Sequence, residues 1–374
     1  MQYRKFGNTG IDISILGFGA MRLPTYEKDG KSLFDYEESA RMMRRAHELG
    51  VNYFDTAPYY CNAESEIIVG RALKGIRDKV YVSTKYPVKS DSAKEFREML
   101  EKSLKQLDTD YIDFYHMWGI NWESYESKIS VKGGPLDEAR KAKEEGLIRH
   151  ISFSFHDDSA NLVKIAQTGS FESVLSQYNL LDRSNEESIA KARAMGLGTV
   201  VMGPVGGGRL GGGSDKIRSL INRDVRSTPE LALRFVLSNP NVCCALSGMS
   251  AMEHVEENCR TADTADLLSE AEVAGVNAAM TENKKLAELY CTGCEYCMPC
   301  PQEVNIPLCF KLMNYHKVYE LTDYAKSEYK KIGGDDWHKG KDASNCIECG
   351  ICEDKCPQKL KIREQLRETD LVLR

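Results

Sequence analysis

The stretch DYEESARMMRRAHELGVNYFDTA, from Asp35 to Ala57, contains the unit from which most of the chain is built. Its first part has the pattern of an amphipathic helix, which Asp35 can cap at the start and Gly50 can end. Its second part, VNYFDTA, is short and nearly all apolar, as buried parallel strands are. The stretch therefore predicts a helix followed by a buried strand that ends near Asp55.

The same alternation of apolar runs and helical patterns continues to about residue 260, which predicts a barrel. The predicted strands are ISILGFG (13–19), VNYFDTA (51–57), KVYVSTK (79–85), YIDFYHMW (111–118), IRHISFSF (148–155), SVLSQYN (173–179), GTVVMGP (198–204) and NVCCALSG (241–248). Eight β/α units in about 250 residues favour an α/β fold of the (β/α)8 TIM-type barrel class over an open doubly wound sheet. No GxGxxG follows the first strand, where GFGAM lacks the third glycine.

Composition limits the classes of partner. The 374 residues are 42% hydrophobic and 28% charged, as in a soluble globular protein. A net charge of −6 argues against general binding to nucleic acid or to a membrane surface. The N-terminus has no apolar signal region, and no stretch approaches the roughly 18 apolar residues of a membrane span. We therefore expect a cytoplasmic protein with no nucleic-acid partner and no membrane partner.

Two cysteine runs dominate the last quarter of the chain. They are CTGCEYCMPCP (291–301) and CIECGICEDKCP (346–357), and they hold eight of the thirteen cysteines. The second run has the C-x2-C-x2-C-x3-C-P spacing of bacterial two-cluster ferredoxins, in which the fourth cysteine ligates the other cluster. We predict one [4Fe–4S] cluster on Cys291, Cys294, Cys297 and Cys356, and another on Cys346, Cys349, Cys352 and Cys300. Two four-thiolate zinc sites are the alternative, but zinc sites usually pair two C-x2-C knuckles and need no third cysteine at that spacing.

These patterns predict three parts of the chain. Residues 1–268 form the barrel and residues 269–290 a connecting helix. Residues 291–374 form a small, mainly helical ferredoxin-like domain with two clusters.

Polar residues at the predicted strand ends are the first candidates for an active site, because the active sites of such barrels form there. They are Asp55, Lys85, His116, Ser154, Gln177 and Asn179. Tyr60 follows Asp55 closely, and a lysine ammonium near a tyrosine favours phenolate and lowers the tyrosine pKa from about 10. Together Asp55, Tyr60 and Lys85 make a general-acid arrangement for a carbonyl that gains hydride. Taken singly, each also has an ordinary structural explanation, as a cap, a packing residue or a surface charge.

Motifs along the barrel resemble the aldo-keto reductase family over residues 1–260. They are GFGAMRLP, FDTAPYY…SEIIVGRAL, VSTK, DYIDFYHMW, EGLIRHISFS, SQYNLLD and SGMSAMEHVEEN. With the two cysteine runs, the whole chain resembles members of that family that carry a C-terminal ferredoxin-like domain. The resemblance implies reduction of a carbonyl group with NADP(H), or with NAD(H), and an Asp–Tyr–Lys–His set of catalytic residues.

The resemblance also implies roles for individual residues. Asp55, Tyr60 and Lys85 match the first three catalytic positions. Trp118 occupies the usual histidine position and is expected to wall the substrate pocket, while His116 is the alternative catalytic histidine. The nucleotide is expected to contact Ser154, Gln177, Gly203, Val205, Gly206, Gly248, Ser250, His254, Glu257 and Asn258.

Three functions fit a barrel of this kind joined to two clusters. The first is a reductase of a small carbonyl substrate whose clusters are structural or sense redox state. The second is an electron-transfer enzyme that receives single electrons from ferredoxin or another carrier. The third is a non-catalytic module that senses the nicotinamide state, which the retained Asp55, Tyr60 and Lys85 argue against. We favour the first, with the second as the alternative.

Overall fold

The computed structural model describes residues 1–263, 267–291 and 294–374, and only the backbone of residues 284 and 286–290. The strands are β1 (Tyr3–Lys5), β2 (Asp12–Ser14), β3 (Leu16–Gly19), β4 (Thr25–Lys28), β5 (Lys31–Phe34), β6 (Tyr53–Asp55), β7 (Tyr81–Pro87), β8 (Ile112–Ile120), β9 (Ile148–Phe155), β10 (Ser173–Gln177), β11 (Gly198–Met202) and β12 (Cys244–Gly248). The helices are α1 (Tyr36–Glu48), α2 (Ser65–Leu73), α3 (Ala93–Leu107), α4 (Trp122–Ser124), α5 (Pro135–Glu144), α6 (Ser159–Ala166), α7 (Glu186–Ala194), α8 (Asp215–Arg218), α9 (Thr228–Ser238), α10 (Met252–Asp263), α11 (Glu270–Tyr290), α12 (Ile306–Tyr319), α13 (Thr322–Tyr329), α14 (Ile351–Lys355) and α15 (Ile362–Leu373). Within these ranges no helix combines the length and the apolar composition needed to cross a bilayer.

A closed barrel of parallel strands forms the centre of the first part of the chain. Within the described residues, its eight strands are β3 and β6 to β12, each paired with the next along the chain, and β12 pairs with β3 to close the ring. The predicted (β/α)8 barrel is confirmed. Because all these strands run in the same direction, their C-terminal ends meet at one end of the barrel.

Local signals explain why the helices begin and end where they do. The Asp35 carboxylate accepts a hydrogen bond of 2.9 Å from the backbone N–H of Glu38, so it caps α1 as predicted. Gly50 follows that helix with φ +99°, a conformation that glycine adopts at little cost. On α3, Phe96 and Leu100 are buried against the barrel side, as their helical spacing predicted.

Two antiparallel hairpins add to the predicted strands. β1 and β2 form the first hairpin, and β4 and β5 form the second. Phe6, next to β1, packs edge-on against Phe114 at 4.9 Å between ring centroids and contacts Tyr53 at 6.3 Å. These aromatic rings belong to the apolar core within the barrel.

The chain divides into two compact units. The first comprises Met1–Gly206 and Ala232–Leu268, and the second comprises Gly207–Leu231 and Ser269–Arg374. The second unit thus includes a segment that follows β11 in the sequence and extends into the first residues of α9. Within this unit, Arg209 donates a hydrogen bond of 2.7 Å to the Tyr315 hydroxyl, and Ser214 donates one of 2.8 Å to the carbonyl of Tyr319. Both tyrosines are on α12, which therefore holds this segment.

Candidate functional site

A buried ion pair lies at the C-terminal end of the barrel. Lys85 on β7 donates hydrogen bonds of 2.9 and 2.7 Å to the two carboxylate oxygens of Asp55, the last residue of β6. The Lys85 ammonium also donates to the carbonyl of Thr56 at 2.7 Å, and the Ser83 hydroxyl donates to Asp55 at 2.7 Å. The side chains of Lys85 and Asp55 are only 1% and 5% exposed, so both charges depend on these partners.

Tyr60 lies beside this ion pair. The Lys85 Nζ atom is 4.6 Å from the centroid of the Tyr60 ring. Burial alone would lower the pKa of Lys85, but Asp55 and Tyr60 outweigh it and raise that pKa, so Lys85 is charged. Burial raises the pKa of Tyr60 above its ordinary value and outweighs the Lys85 charge, which lowers it. The sequence-based expectation of a lowered tyrosine pKa was therefore wrong in direction, and Tyr60 holds its proton at neutral pH.

We expect Asp55→Asn to destabilise the protein, because the substitution leaves the buried Lys85 ammonium without its charged partner. Removing one member of a buried ion pair typically costs about 3–5 kcal/mol of unfolding free energy. Denaturant unfolding under anaerobic conditions, followed by circular dichroism, measures this loss. Asp12→Asn is the matched control, since Asp12 pairs with Lys5 at 2.8 Å on the surface, and its loss should cost at most about 1 kcal/mol. Equal effects of the two variants would contradict a charged Lys85 in the barrel.

Trp118 contacts Tyr60 from β8, the strand next to the one that carries Lys85. The ring centroids of Trp118 and Tyr60 are 5.7 Å apart at an interplanar angle of 87°. The ring of Tyr59, the residue before Tyr60, also lies near Trp118, with 5.9 Å between the centroids. The half-buried indole therefore forms a wall next to the Tyr60 phenol, as expected for a residue of the substrate pocket.

A β-bulge orients Trp118. The register of β8 on β9 shifts between Met117 and Ile120, so β8 has an extra residue there. Gly119 lies inside the bulge at φ +63°, a conformation that few other residues adopt. Its backbone N–H donates a hydrogen bond of 2.7 Å to the hydroxyl of Ser154 on β9. Bulges of this kind redirect side chains next to active sites, and this one precedes the loop that leaves β8.

His116 lies deeper in the barrel. It pairs in register with Lys85, its side chain is 0% exposed, and neither ring nitrogen has a hydrogen-bond partner among the described residues. Burial and the Lys85 charge lower the pKa of His116 to about 3, so the imidazole is neutral. For a catalytic role, His116 would therefore need a hydrogen-bond path through the side chains that separate it from the pocket.

The backbone after Tyr60 is left-handed over three successive residues. Cys61, Asn62 and Ala63 have φ of +52°, +53° and +69°, although each carries a Cβ atom. Such conformations cost about 1–3 kcal/mol each and persist where the surrounding structure enforces them, often at active sites. Burial also raises the pKa of the Cys61 thiol, which therefore lacks the thiolate character of a reactive cysteine. The position of Tyr60 is set by a strained turn.

The predicted nucleotide-binding residues follow adjacent strands of the same barrel end. Ser154 lies near the end of β9, Gln177 ends β10, and Gly203 follows β11 at φ +64°. A Cβ atom on Gly203 would lie 3.3 Å from the Gln177 side-chain oxygen, so a side chain larger than glycine would crowd that amide. The backbone N–H of Gly206, also at positive φ, donates a hydrogen bond of 2.8 Å to the Gly203 carbonyl, which folds this loop back on itself.

The remaining predicted nucleotide residues surround the end of β12 and the first turns of α10. Gly248, Ser250, His254 and Glu257 are exposed there, and Val205 is half-buried in the preceding loop. Asn258 donates a hydrogen bond of 3.1 Å from its amide to the hydroxyl of Ser247, which orients that amide at the strand end. The predicted set is thus distributed over four successive strand ends, β9 to β12.

Two residues of this barrel end were missed in the sequence. Ser83 is two positions before Lys85 and therefore faces the same side of β7, where it supports Asp55. His156 directly follows the last residue of β9 and meets the same criterion as the other candidates, a polar residue at a strand end. Asn179 met that criterion too, but its side-chain oxygen accepts hydrogen bonds from the backbone of Leu181 and Asp182 and shapes a turn.

The cysteine runs of the second unit line two cavities. The cavity of the second run is lined by Cys346, Cys349 and Cys352 with Cys297, Cys300 and Pro301. The cavity of the first run is lined by Cys291, Cys294 and Cys297 with Cys356 and Pro357. The last cysteine of each run, with its proline, thus lines the cavity of the other run. Ile306 of α12 lines both cavities. The cavity of the first run is lined by four cysteines and that of the second run by five, because Cys297 lines both. Each cavity thus offers the four thiolates that the irons of a [4Fe–4S] cluster take.

Comparisons with known proteins agree with this architecture. A model of the Aldo/keto reductase family matches residues 15–280, and a model of the 4Fe-4S dicluster domain matches residues 290–360. The chain is 29% identical over 305 residues to "Uncharacterized oxidoreductase YqkF" of Bacillus subtilis (strain 168), which covers 72% of this chain and 94% of that protein. It is 28% identical over 289 residues to L-galactose dehydrogenase of Arabidopsis thaliana, which covers 69% of this chain and 87% of that protein.

Among solved structures, the holo form of the aldo-keto reductase AKR11C1 from Bacillus halodurans is similar. It superposes with a TM-score of 0.64 at 28% identity, covering 74% of this chain and 96% of that chain. The resemblance inferred from the motifs is confirmed, both for the barrel and for the cysteine runs. The chain is therefore an oxidoreductase that belongs to the aldo/keto reductase family and has a C-terminal 4Fe-4S dicluster domain.

Proposed function

We propose that the barrel reduces the carbonyl group of a small organic substrate with NADP(H) or NAD(H). The observation that carries this proposal is the buried Asp55–Lys85 pair beside Tyr60 at the C-terminal end of the barrel. The nucleotide would bind at the neighbouring strand ends, where Gly203 lies against the Gln177 amide and the Gly206 N–H donates to the Gly203 carbonyl. When bound there, the nicotinamide supplies the hydride that the carbonyl carbon takes up.

The protein supplies the proton and stabilises the charge. Tyr60, protonated at neutral pH, donates its hydroxyl proton to the carbonyl oxygen as the carbon gains hydride. The Lys85 ammonium stabilises the phenolate that remains, and Asp55 keeps that ammonium charged in a buried place. Trp118 closes one side of the pocket and orients the substrate. We keep His116 as a candidate that positions Lys85, its neighbour in register.

We expect opposite pH dependences for the two directions of the reaction. Reduction needs protonated Tyr60, and burial raises the pKa of that phenol, so reduction should stay level from pH 6 to about pH 10 and fall only above it. Oxidation of the alcohol needs the phenolate and should rise with pH over the same interval. That direction is relevant because one relative is named L-galactose dehydrogenase. Steady-state rates in both directions at saturating nucleotide measure this dependence, and a reduction rate that halves between pH 7 and 8 would contradict it.

We further propose that the C-terminal unit binds two [4Fe–4S] clusters. Cys291, Cys294, Cys297 and Cys356 would hold one, and Cys346, Cys349, Cys352 and Cys300 the other. The support is the exchange of the last cysteine of each run between the two cavities. When bound, such clusters can accept and donate single electrons.

An electron-transfer function is the second candidate. It is favoured by exposed apolar side chains beside the cysteines, where a carrier such as ferredoxin could dock: Tyr296 at 66%, Ile347 at 62% and Ile351 at 42% exposed. Cys294 and Cys349 are themselves exposed. In this case the clusters would supply single electrons, and the nicotinamide would not be the sole reductant.

One experiment separates the two functions. Protein purified without oxygen is analysed for iron and sulfide, then supplied with NADPH, NADH or reduced ferredoxin and a panel of aldehydes and ketones. The first proposal expects alcohol formation with a nicotinamide alone, at an unchanged rate after the clusters are oxidised. Product formation only with reduced ferredoxin would replace it by the second.

A further inference from the structure

His156 occupies a place at the barrel end that the proposed chemistry has not used. It directly follows Phe155, the last residue of β9, and β9 pairs with the bulged end of β8. Its Cδ2 atom would lie 3.8 Å from a Cβ atom on Gly119, so the imidazole packs over the backbone next to Trp118. Glycine at that position permits the left-handed bulge, and the imidazole lies at ordinary van der Waals distance beside it.

The side chain of His156 is accessible and uncharged. It is exposed, unlike the fully buried His116, so it can meet a molecule that enters the pocket. Partial burial and the charge of Lys85 lower the pKa of His156, which places its ring within the electrostatic influence of the ammonium beside Tyr60. A neutral imidazole has one N–H donor and is suited to a hydrogen bond with a carbonyl oxygen.

Because residue 118 is a tryptophan, a second hydrogen-bond donor to the substrate has to come from another residue. The resemblance implied a histidine at the position of Trp118, and the indole there packs its ring edge-on against Tyr60. The strand next to it brings an imidazole to the same end of the barrel, one residue beyond its last pairing with β8. An imidazole just beyond β9 thus lies beside the strand end where β8 carries the indole.

We propose that His156 donates a hydrogen bond to the carbonyl oxygen of the substrate, beside the Tyr60 hydroxyl. This inference rests on the proposed carbonyl reduction. His156 transfers no proton: Tyr60 gives the proton, the carbonyl carbon takes the hydride, and the products are the alcohol and the oxidised nucleotide. The imidazole N–H polarises the carbonyl and stabilises the negative charge that develops on its oxygen.

His156→Ala tests the proposal. Loss of one such donor typically lowers kcat by about 10²–10³-fold, and we expect a loss of this order, with nucleotide affinity unchanged by titration calorimetry. Because the side chain is exposed, added imidazole should restore part of the rate in this variant. His156→Gln keeps an N–H donor and should retain more activity than the alanine variant. His47→Ala, on α1 away from the pocket, is the matched control and should leave the rate unchanged.

Three outcomes decide between explanations. Rescue by imidazole and by glutamine supports a donor at the substrate, since a purely structural role would respond to neither. A full rate in His156→Ala, with the loss found instead in His116→Ala or Trp118→Phe, overturns the assignment. Tyr60→Phe, assayed alongside, separates this failure from that of the proposed function: if Tyr60→Phe is inactive while His156→Ala is fully active, only the role of His156 is refuted.

Discussion

We expect replacement of Tyr60 by phenylalanine to lower the proposed carbonyl reduction by about 10²–10⁴-fold, the usual contribution of general acid catalysis. The substitution removes one hydroxyl and keeps the ring that contacts Trp118 and Lys85, so the pocket retains its shape. Nucleotide affinity should therefore stay within about twofold of the unmodified protein. Single-turnover reduction and equilibrium titration with NADPH, performed on the same preparation, separate the two quantities.

Tyr59→Phe is the matched control for this variant. Tyr59 is the adjacent tyrosine, 47% exposed, and its ring contacts Trp118 but not the buried ion pair. Its loss of a hydroxyl should change the rate by no more than a few fold. If the two variants lose activity to the same extent, the effect comes from the pocket wall and Tyr60 is not the proton donor.

We expect alanine at a cysteine of either run to remove about four of the eight irons that two clusters would hold. Cys294→Ala should empty the cavity of the first run, and Cys349→Ala that of the second, because each thiol lines one cavity only. Iron analysis and electron paramagnetic resonance after dithionite reduction measure the remaining cluster. Cys309→Ala is the control: this cysteine is buried in α12, lines neither cavity, and should leave the iron content intact.

Double variants test the exchange of the fourth ligands. If Cys300 belongs to the cluster of the second run, Cys300→Ala combined with Cys349→Ala damages one cluster and leaves about four irons. Combined with Cys294→Ala, it damages both clusters and leaves almost none. The reverse pattern would assign Cys300 to its own run. Colourless protein with two zinc ions would rule out clusters altogether.

Residues with a strong local pattern could be placed from the sequence. Asp55 and Lys85 end short apolar runs, and parallel strands bring such ends together, so their meeting was predictable. The hairpin of β4 and β5 was missed because its strands are largely exposed and lack an apolar face, although Asp29-Gly30 between them is a common hairpin turn.

Other features depended on three-dimensional context. The direction of the Tyr60 pKa depends on burial, which sequence spacing does not reveal. The left-handed turn at Cys61 to Ala63 contains no glycine, so no local signal marks it. His156 directly follows a strand, as the other candidate residues do, but the sequence pattern there indicated only the change from strand to loop.

The grouping of Gly207–Leu231 with the C-terminal unit has a consequence for how such a gene could arise. A cluster domain appended by a single fusion event would depend only on residues beyond Leu268. Here the internal segment Gly207–Leu231 also belongs to that unit. It is bound by the hydrogen bonds from Arg209 to Tyr315 and from Ser214 to Tyr319. Gain or loss of the domain therefore demands coordinated change at two separate places in the coding sequence. An artificial chimera that exchanges the C-terminal part alone inherits a mismatched insert, and both segments must be transplanted together.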